Sequence, residues 1–189
     1  VGGVFSIISV RSGIVSGLRR LVDTYQGRTN VTAERTELDI PLSGLVAILT
    51  VAVALVFGIY WTLVGSFAVS LFTTVVMVAL AFIFVAVSSY IVGLVGTSNN
   101  PVSGMTISAL LVTAVLFLIL GYKGDSAILA TLGVAAVVCC AATTSGDCSQ
   151  DLKTGVLVGA TPKYQQMGQV IGVLIPAFVI APVLSLLHS

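Results

Sequence analysis

Charged residues are scarce in this chain: Asp, Glu, Lys and Arg make up 8% of the 189 residues, whereas 57% are hydrophobic. A water-soluble domain uses about a quarter of its residues as charged side chains. From Ile40 to Tyr122 there is no Asp, Glu, Lys, Arg or His at all. A membrane crossing needs about 20 apolar residues, so this stretch alone has room for about three or four. The composition excludes a soluble domain and predicts an all-α polytopic membrane protein.

Motifs for nucleotide binding and for hydrolysis are also missing. The sequence has no GxxxxGK[ST] loop and no HExxH pair, and its one histidine, His188, lies at the chain end. The net charge is +1 and there is no basic face with interleaved aromatics, which argues against a nucleic-acid partner. Three cysteines, Cys139, Cys140 and Cys148, lack a fourth ligand for structural zinc. We therefore expect no enzyme activity, no cofactor and no bound metal.

Five apolar segments predict five transmembrane helices. Their expected bounds are Pro41–Tyr60, Phe67–Val95, Met105–Gly121, Ser126–Ser145 and Pro162–Leu187. Pro176 and Pro182 predict kinks in the fifth. Residues 1–10 are apolar but too short to cross alone. They are interpreted as the end of a preceding transmembrane helix, in a fragment of a longer protein.

Positive charge is concentrated before the first crossing, where residues 11–40 carry five arginines. Apolar residues at helical spacing predict an amphipathic helix there, followed by a polar linker. Because Lys and Arg mark the cytoplasmic ends of crossings, we expect residues 11–40 to be cytoplasmic. The loops 96–104 and 146–161 then lie on the same side. We expect residues 41–189 to form the transmembrane bundle of an integral protein of the cell (inner or plasma) membrane.

The first candidate site is an uncharged polar interruption, GTSNNPVSGMT, between two apolar runs. Gly and Pro break a helix, and irregular backbone at membrane depth is tolerated where it lines a water-filled cavity. Amide and hydroxyl groups both donate and accept hydrogen bonds, which suits a polar ligand. The alternative is a plain tight turn between two helices. The residues predicted to border a substrate path are Ser98, Asn99, Asn100, Ser103 and Thr106.

The second candidate site lies in Thr143–Gln169, where charges return to the chain. Asp147 and Asp151 are candidate proton carriers, because desolvation can raise the pKa of a carboxylate toward neutrality. The alternative is a solvated interfacial loop with no such role. Further candidates for lining a polar pore are Lys153, Gln165 and Gln169.

Three stretches of this sequence resemble the oligopeptide transporter family, which includes the yellow-stripe-like metal-chelate carriers, and resemble its bacterial members most. They are ERTELDIPLS (Glu34–Ser43), GTSNNPVSGMTI (Gly96–Ile107) and TSGDCSQDLKTGVLVGATPKYQQMGQ (Thr144–Gln169). The resemblance implies a carrier with many more than five crossings, which takes up small peptides or metal chelates with the proton gradient. It also implies that the break at Ser98–Thr106 borders the translocation path. No proton-binding residue can be carried over from the family.

Residues and resemblance together predict a secondary active transporter that works by proton-coupled symport. The expected partners are the lipid bilayer, a peptide or metal-chelate substrate, protons and the remaining helices of the full-length protein, with a homo-oligomer left open. Two alternatives stay open. A non-transporting membrane scaffold would tolerate loss of Asn99 or Asp147, and a channel would show flux without saturation.

Overall fold

The computed structural model describes residues 35–188, which contain five long helices and no strand. The helices are α1 (Leu42–Val64), α2 (Phe67–Val95), α3 (Val102–Ile119), α4 (Asp125–Val158) and α5 (Pro162–His188). Each is long and apolar enough to cross a membrane. The predicted all-α polytopic membrane fold is therefore confirmed. The predicted end of a preceding helix (residues 1–10) and the amphipathic helix after it lie outside the described residues.

Helix α4 differs most from its predicted bounds. It was expected to end near Ser145 and to be followed by a loop over 146–161, but it continues to Val158 and ends in a left-handed turn at Gly159 (φ 70°). The polar residues that suggested a loop are compatible with a helix, and no proline interrupts them. At a rise of 1.5 Å per residue, α4 is about 51 Å long and exceeds the hydrocarbon core by about 20 Å. Its last turns therefore extend beyond the apolar layer or line a polar cavity.

The polar interruption separates two helices, as predicted. Gly96 ends α2 with a positive φ of 89°, which favours glycine. A 3-10 turn at Thr97–Asn99 follows, and Pro101 precedes α3.

The core is organised around α4, which contacts each of the other four helices. Three apolar clusters lie along it. From the end where α4 begins, they are Phe117 with Ala127 and Ala130, then Tyr60 with Met77, Ala109, Val134 and Val138, and then Val87 with Met105 and Ala142. Small residues on α4 allow this close approach, since a Cβ at Gly133 would lie 3.0 Å from Tyr60 Cε1.

A layer of buried hydroxyls lies between the first two apolar clusters. Its members are Ser70, Thr73, Thr74, Thr113 and Thr131, all at most 9% exposed. Four of them donate to the carbonyl one turn earlier in their own helix, at 2.7–2.8 Å. The Thr113 hydroxyl and the nearby Tyr60 hydroxyl have no hydrogen-bond partner in the part of the chain that the structure describes.

The outer helices α1 and α5 bury little of their surface. Tyr60 is the one buried residue of α1, and α5 has none. Because both helices are apolar throughout their crossings, these surfaces suit lipid or further transmembrane helices.

Candidate functional site

The polar turn between α2 and α3 is anchored on α4 through Asn100. The Ser88 hydroxyl lies 2.6 Å from the Ala142 carbonyl and 3.1 Å from Asn100 Oδ1. Asn100 Nδ2 donates weakly to Ala142 O at 3.5 Å. The Asn100 amide also lies directly on Gly146, where a Cβ would stand 2.5 Å from Nδ2. A side chain at position 146 would exclude Asn100, so this glycine makes the anchor possible.

A second contact fixes the start of the same turn. The backbone N–H of Thr97 donates to Gln150 Oε1 at 2.8 Å. Ala142, Gly146 and Gln150 are spaced four residues apart and lie on one face of α4. The turn is therefore held along two successive turns of that helix.

The predicted substrate-path residues have different surroundings. Asn100 is half-buried and engaged in the anchor, whereas Ser98 and Asn99 are exposed. Asn99 Nδ2 donates to Val95 O at 3.3 Å, and Ser103 is exposed. The half-buried Thr106 donates its hydroxyl to Val102 O at 2.8 Å. Ser98 and Asn99 thus present polar groups outward, while Asn100 and Thr106 satisfy theirs within the protein.

The turn does not lie at the end of the bundle. It contacts α4 at Gln150, and α4 continues for another eight residues to Val158. Those residues extend the helix by about 12 Å. The turn is therefore recessed by about this distance relative to the end of α4.

A polar stripe runs along another face of α4. At 100° per residue, Asp147, Asp151 and Thr154 lie about 110° around the helix from the face that anchors the turn. Thr143 and Thr144 continue the stripe toward the middle of the helix. Four of these five residues are exposed and Thr144 is half-buried. Carboxylates and hydroxyls on a membrane-spanning helix are unfavourable toward lipid, so this face suits water or protein.

The stripe ends at a cleft between α4 and the beginning of α5. The cleft has a volume of about 480 Å³ and is lined by Asp151, Thr154, Gln165, Gly168, Gln169 and Gly172. Gln169 Nε2 donates to Asp151 Oδ2 at 3.3 Å, and Gln165 Nε2 donates to the Asp151 carbonyl at 3.1 Å. The structure thus brings together three residues that were singled out from the sequence.

The remaining candidates lie outside the cleft lining. Asp147 is exposed one helical turn before Asp151, on the same face of α4. Lys153 is also exposed, but it lies about 160° around the helix from Asp151. The carboxylates and the lysine therefore do not form one group.

The segment before α1 binds the turn between α4 and α5. Gln166 Oε1 accepts from the Ile40 N–H, and its Nε2 donates to Asp39 Oδ1, both at 3.1 Å. The Lys163 N–H donates to Leu38 O at 2.9 Å, and Arg35 Nη2 donates to Gly159 O at 3.0 Å. We call this set of contacts the Gln166 strap. It places the start of α1 and the start of α5 at the same end of the bundle, as counting crossings predicts.

Several residues of these sites were not singled out from the sequence. Ser88 looked like an ordinary hydroxyl in an apolar helix, and Gly146 looked like a loop glycine. Gly146 and Gln150 lie inside the third motif of the family resemblance, which is the one signal that could have identified them. In residues 35–188, no three His, Cys, Asp or Glu side chains are grouped so as to hold a metal ion.

Comparison with known proteins bears on the whole chain. Residues 3–189 match the family model described as "OPT oligopeptide transporter protein". A Haemophilus influenzae protein named "Putative oligopeptide transporter" is 29% identical over 205 residues, an alignment that covers 100% of this chain and 32% of that protein. This chain thus spans about a third of the relative's length. No solved structure matches this chain at a significant level. Because the family match covers nearly every residue, the chain belongs to the OPT family of oligopeptide transporters and not to a family of enzymes.

Proposed function

We propose that the protein is a secondary active transporter that carries small peptides or metal chelates by proton-coupled symport. The observation that carries this proposal is the exposed polar stripe of α4, which leads from Thr143 to the cleft at Asp151 and Thr154. Two carboxylates and three hydroxyls on one face are unfavourable where a helix faces lipid. They are favourable where a helix lines a path for polar solutes.

The recessed turn supplies a second polar surface next to the path. Ser98 and Asn99 are exposed on it, and their hydroxyl and amide groups suit peptide carbonyls and N–H groups. The Asn100 anchor on Gly146 holds this surface against α4. In this proposal Ser98, Asn99 and Ser103 meet the substrate, and Asn100 and Thr106 position them.

Proton coupling is assigned to the carboxylates of the stripe. The Asp151 carboxylate accepts a hydrogen bond from the Gln169 amide at 3.3 Å, and Asp147 lies one turn closer to the middle of α4. A carboxylate that exchanges protons between the two sides must be reached by water from each in turn. Rocking of helix groups around the site gives this alternating access. The same polar face, with Gln165 and Gln169, would line the pathway on the side of the Gln166 strap.

Transport by the purified full-length protein in proteoliposomes tests the proposal. An inward proton gradient should drive accumulation of a labelled dipeptide, and a protonophore should abolish it. The coupling group is one of the two carboxylates. Its replacement, Asp147→Asn or Asp151→Asn, should abolish accumulation of the dipeptide, while dipeptide counterflow continues. Asp125→Asn is the matched control, because Asp125 lies in the first turn of α4, at the opposite end of the helix.

The rival functions give different results in the same assay. Accumulation that survives collapse of the gradient contradicts proton coupling. Flux that neither saturates nor accumulates substrate indicates a channel. A scaffold predicts no uptake of peptide or metal chelate by the wild-type protein.

A further inference from the structure

The cleft at Asp151 has an unusual balance of hydrogen-bonding groups. Its lining includes one carboxylate, two amides and one hydroxyl, and no Lys, Arg or His. The nearby Lys153 is turned to a different side of α4, so it does not compensate the carboxylate there. The cleft therefore carries one uncompensated negative charge from its own lining.

The donors of the cleft are already partly used on the protein. Gln165 and Gln169 each spend one N–H on Asp151, and Thr154 donates its hydroxyl to Gln150 O at 3.0 Å. The acceptors remain largely free. The carboxylate, the two amide oxygens and the hydroxyl carry about ten lone pairs. Gln169 uses one and two lie on an enclosed Gln165 oxygen, which leaves about seven acceptor sites against about two N–H groups. Gln165 Oε1 is fully enclosed and accepts no hydrogen bond within residues 35–188, so the acceptors open to a ligand are the Asp151 carboxylate, the Gln169 carbonyl and the Thr154 hydroxyl.

We infer that this cleft binds the primary ammonium group of the transported peptide, with Asp151 as its carboxylate partner. An ammonium group brings three donors and one positive charge to a surface that offers acceptors and one negative charge. The cleft volume of about 480 Å³ also falls in the range of sites that enclose small ligands. This inference rests on the proposed transport function and deepens it.

The two carboxylates then have different tasks. Asp151 lines the cleft and is oriented by Gln169, so it is the group that meets the ammonium. Asp147 lies outside the lining, one turn nearer the middle of α4, and is left to carry the proton. Gln169 is a positioning residue, because it acts through the Asp151 carboxylate.

Equilibrium binding to the detergent-purified full-length protein tests the inference without any gradient. The probes are alanyl-alanine, its N-acetylated form, which lacks the ammonium, and its C-terminal amide, which keeps it. Loss of one charged hydrogen-bonding contact should weaken binding of the acetylated peptide about tenfold to a hundredfold. The amide should bind within about threefold of alanyl-alanine.

Variants identify the partner of the ammonium. Asp151→Asn should bind the free and acetylated peptides equally, whereas Asp147→Asn should keep the discrimination and lose gradient-driven accumulation. If Asp151→Asn does not fold, Gln169→Leu is the second variant, which keeps the carboxylate and should reduce the discrimination several-fold.

Equal binding of both peptides by the wild type, or full discrimination in folded Asp151→Asn or Gln169→Leu, overturns the inference. So does binding of a metal chelate but of no peptide. Discrimination without gradient-driven uptake leaves the ammonium site in place and overturns only the symport.

Discussion

Replacing Gly146 with alanine tests the anchor that holds the polar turn on α4. The new methyl group would stand 2.5 Å from Asn100 Nδ2 and 3.1 Å from both Ser88 Oγ and Val92 Cγ2. Ser88 and Val92 are buried and packed between helices, so they have little room to withdraw. The Asn100 amide must therefore leave its place.

The expected magnitude follows from two opposing terms. Overpacking a tight site costs about 1–3 kcal/mol, and alanine gains up to about 1 kcal/mol over glycine in a helix. The net loss of stability should be about 0–2 kcal/mol, which places Gly146→Ala about 1–3 kcal/mol below a glycine-to-alanine change that meets no neighbour. Gly93→Ala is the matched control, because Gly93 lies in α2 with nothing within 4 Å of its would-be Cβ. That variant should be neutral or slightly stabilised.

A double-mutant cycle in the full-length protein provides the decisive measurement. Thermal unfolding in detergent, followed by circular dichroism, should rank Gly146→Ala below Gly93→Ala. In the Asn100→Ala background the closest clash is gone and only the 3.1 Å contacts with Ser88 and Val92 remain, so Gly146→Ala should cost at least about 0.5 kcal/mol less than it does alone. Additive effects, or equal stability of Gly146→Ala and Gly93→Ala, would refute the argument that Asn100 occupies this glycine.

Three further substitutions test other parts of the structure by the same unfolding measurement. Thr113→Val removes a buried hydroxyl that has no partner in the described residues, so it should be neutral or stabilising. Thr131→Val loses a 2.7 Å hydrogen bond to Ala127 O and should be the less stable of the two variants. The reverse order would mean that the Thr113 hydroxyl has a partner. Ser88→Ala should cost about 0.5–1.5 kcal/mol through loss of the bond to Ala142 O, and no loss would mean that this bond contributes nothing. Gln166→Glu keeps an acceptor for the Ile40 N–H but sets a second carboxylate against Asp39, so at neutral pH it should be less stable than Gln166→Ala. The opposite ranking would contradict the 3.1 Å contact between Gln166 Nε2 and Asp39 Oδ1.

The helices were predictable because hydrophobic length determines them. The start of α2 at Phe67 and the start of α5 at Pro162 are as expected, since each follows a local break in the apolar pattern. The end of α4 was not predictable in the same way. Asp147, Asp151 and Lys153 resemble loop residues by polarity, and the contacts of α5 with Asp151, which favour a continued helix, cannot be read from the local sequence.

The candidate residues were found by their chemistry, but their grouping depends on side-chain direction. The sequence presented Ser98, Asn99 and Asn100 as one polar run. In the structure Asn100 turns inward onto Gly146, while its two neighbours stay exposed. Asp151 and Gln169 meet because two antiparallel helices adopt a particular register, and no local pattern encodes that register.

The Gln166 strap has a mechanical consequence for the proposed transport cycle. Gln166 lies between the two cleft amides, Gln165 and Gln169, on the first turns of α5. The Gln166 amide forms hydrogen bonds with Asp39 and Ile40, which lie more than a hundred residues earlier in the chain. Any tilt of α5 that opens or closes the cleft must therefore pull on the chain entering α1, or release it. A cross-link between positions 39 and 166 would then slow the opening of the cleft without contacting the substrate.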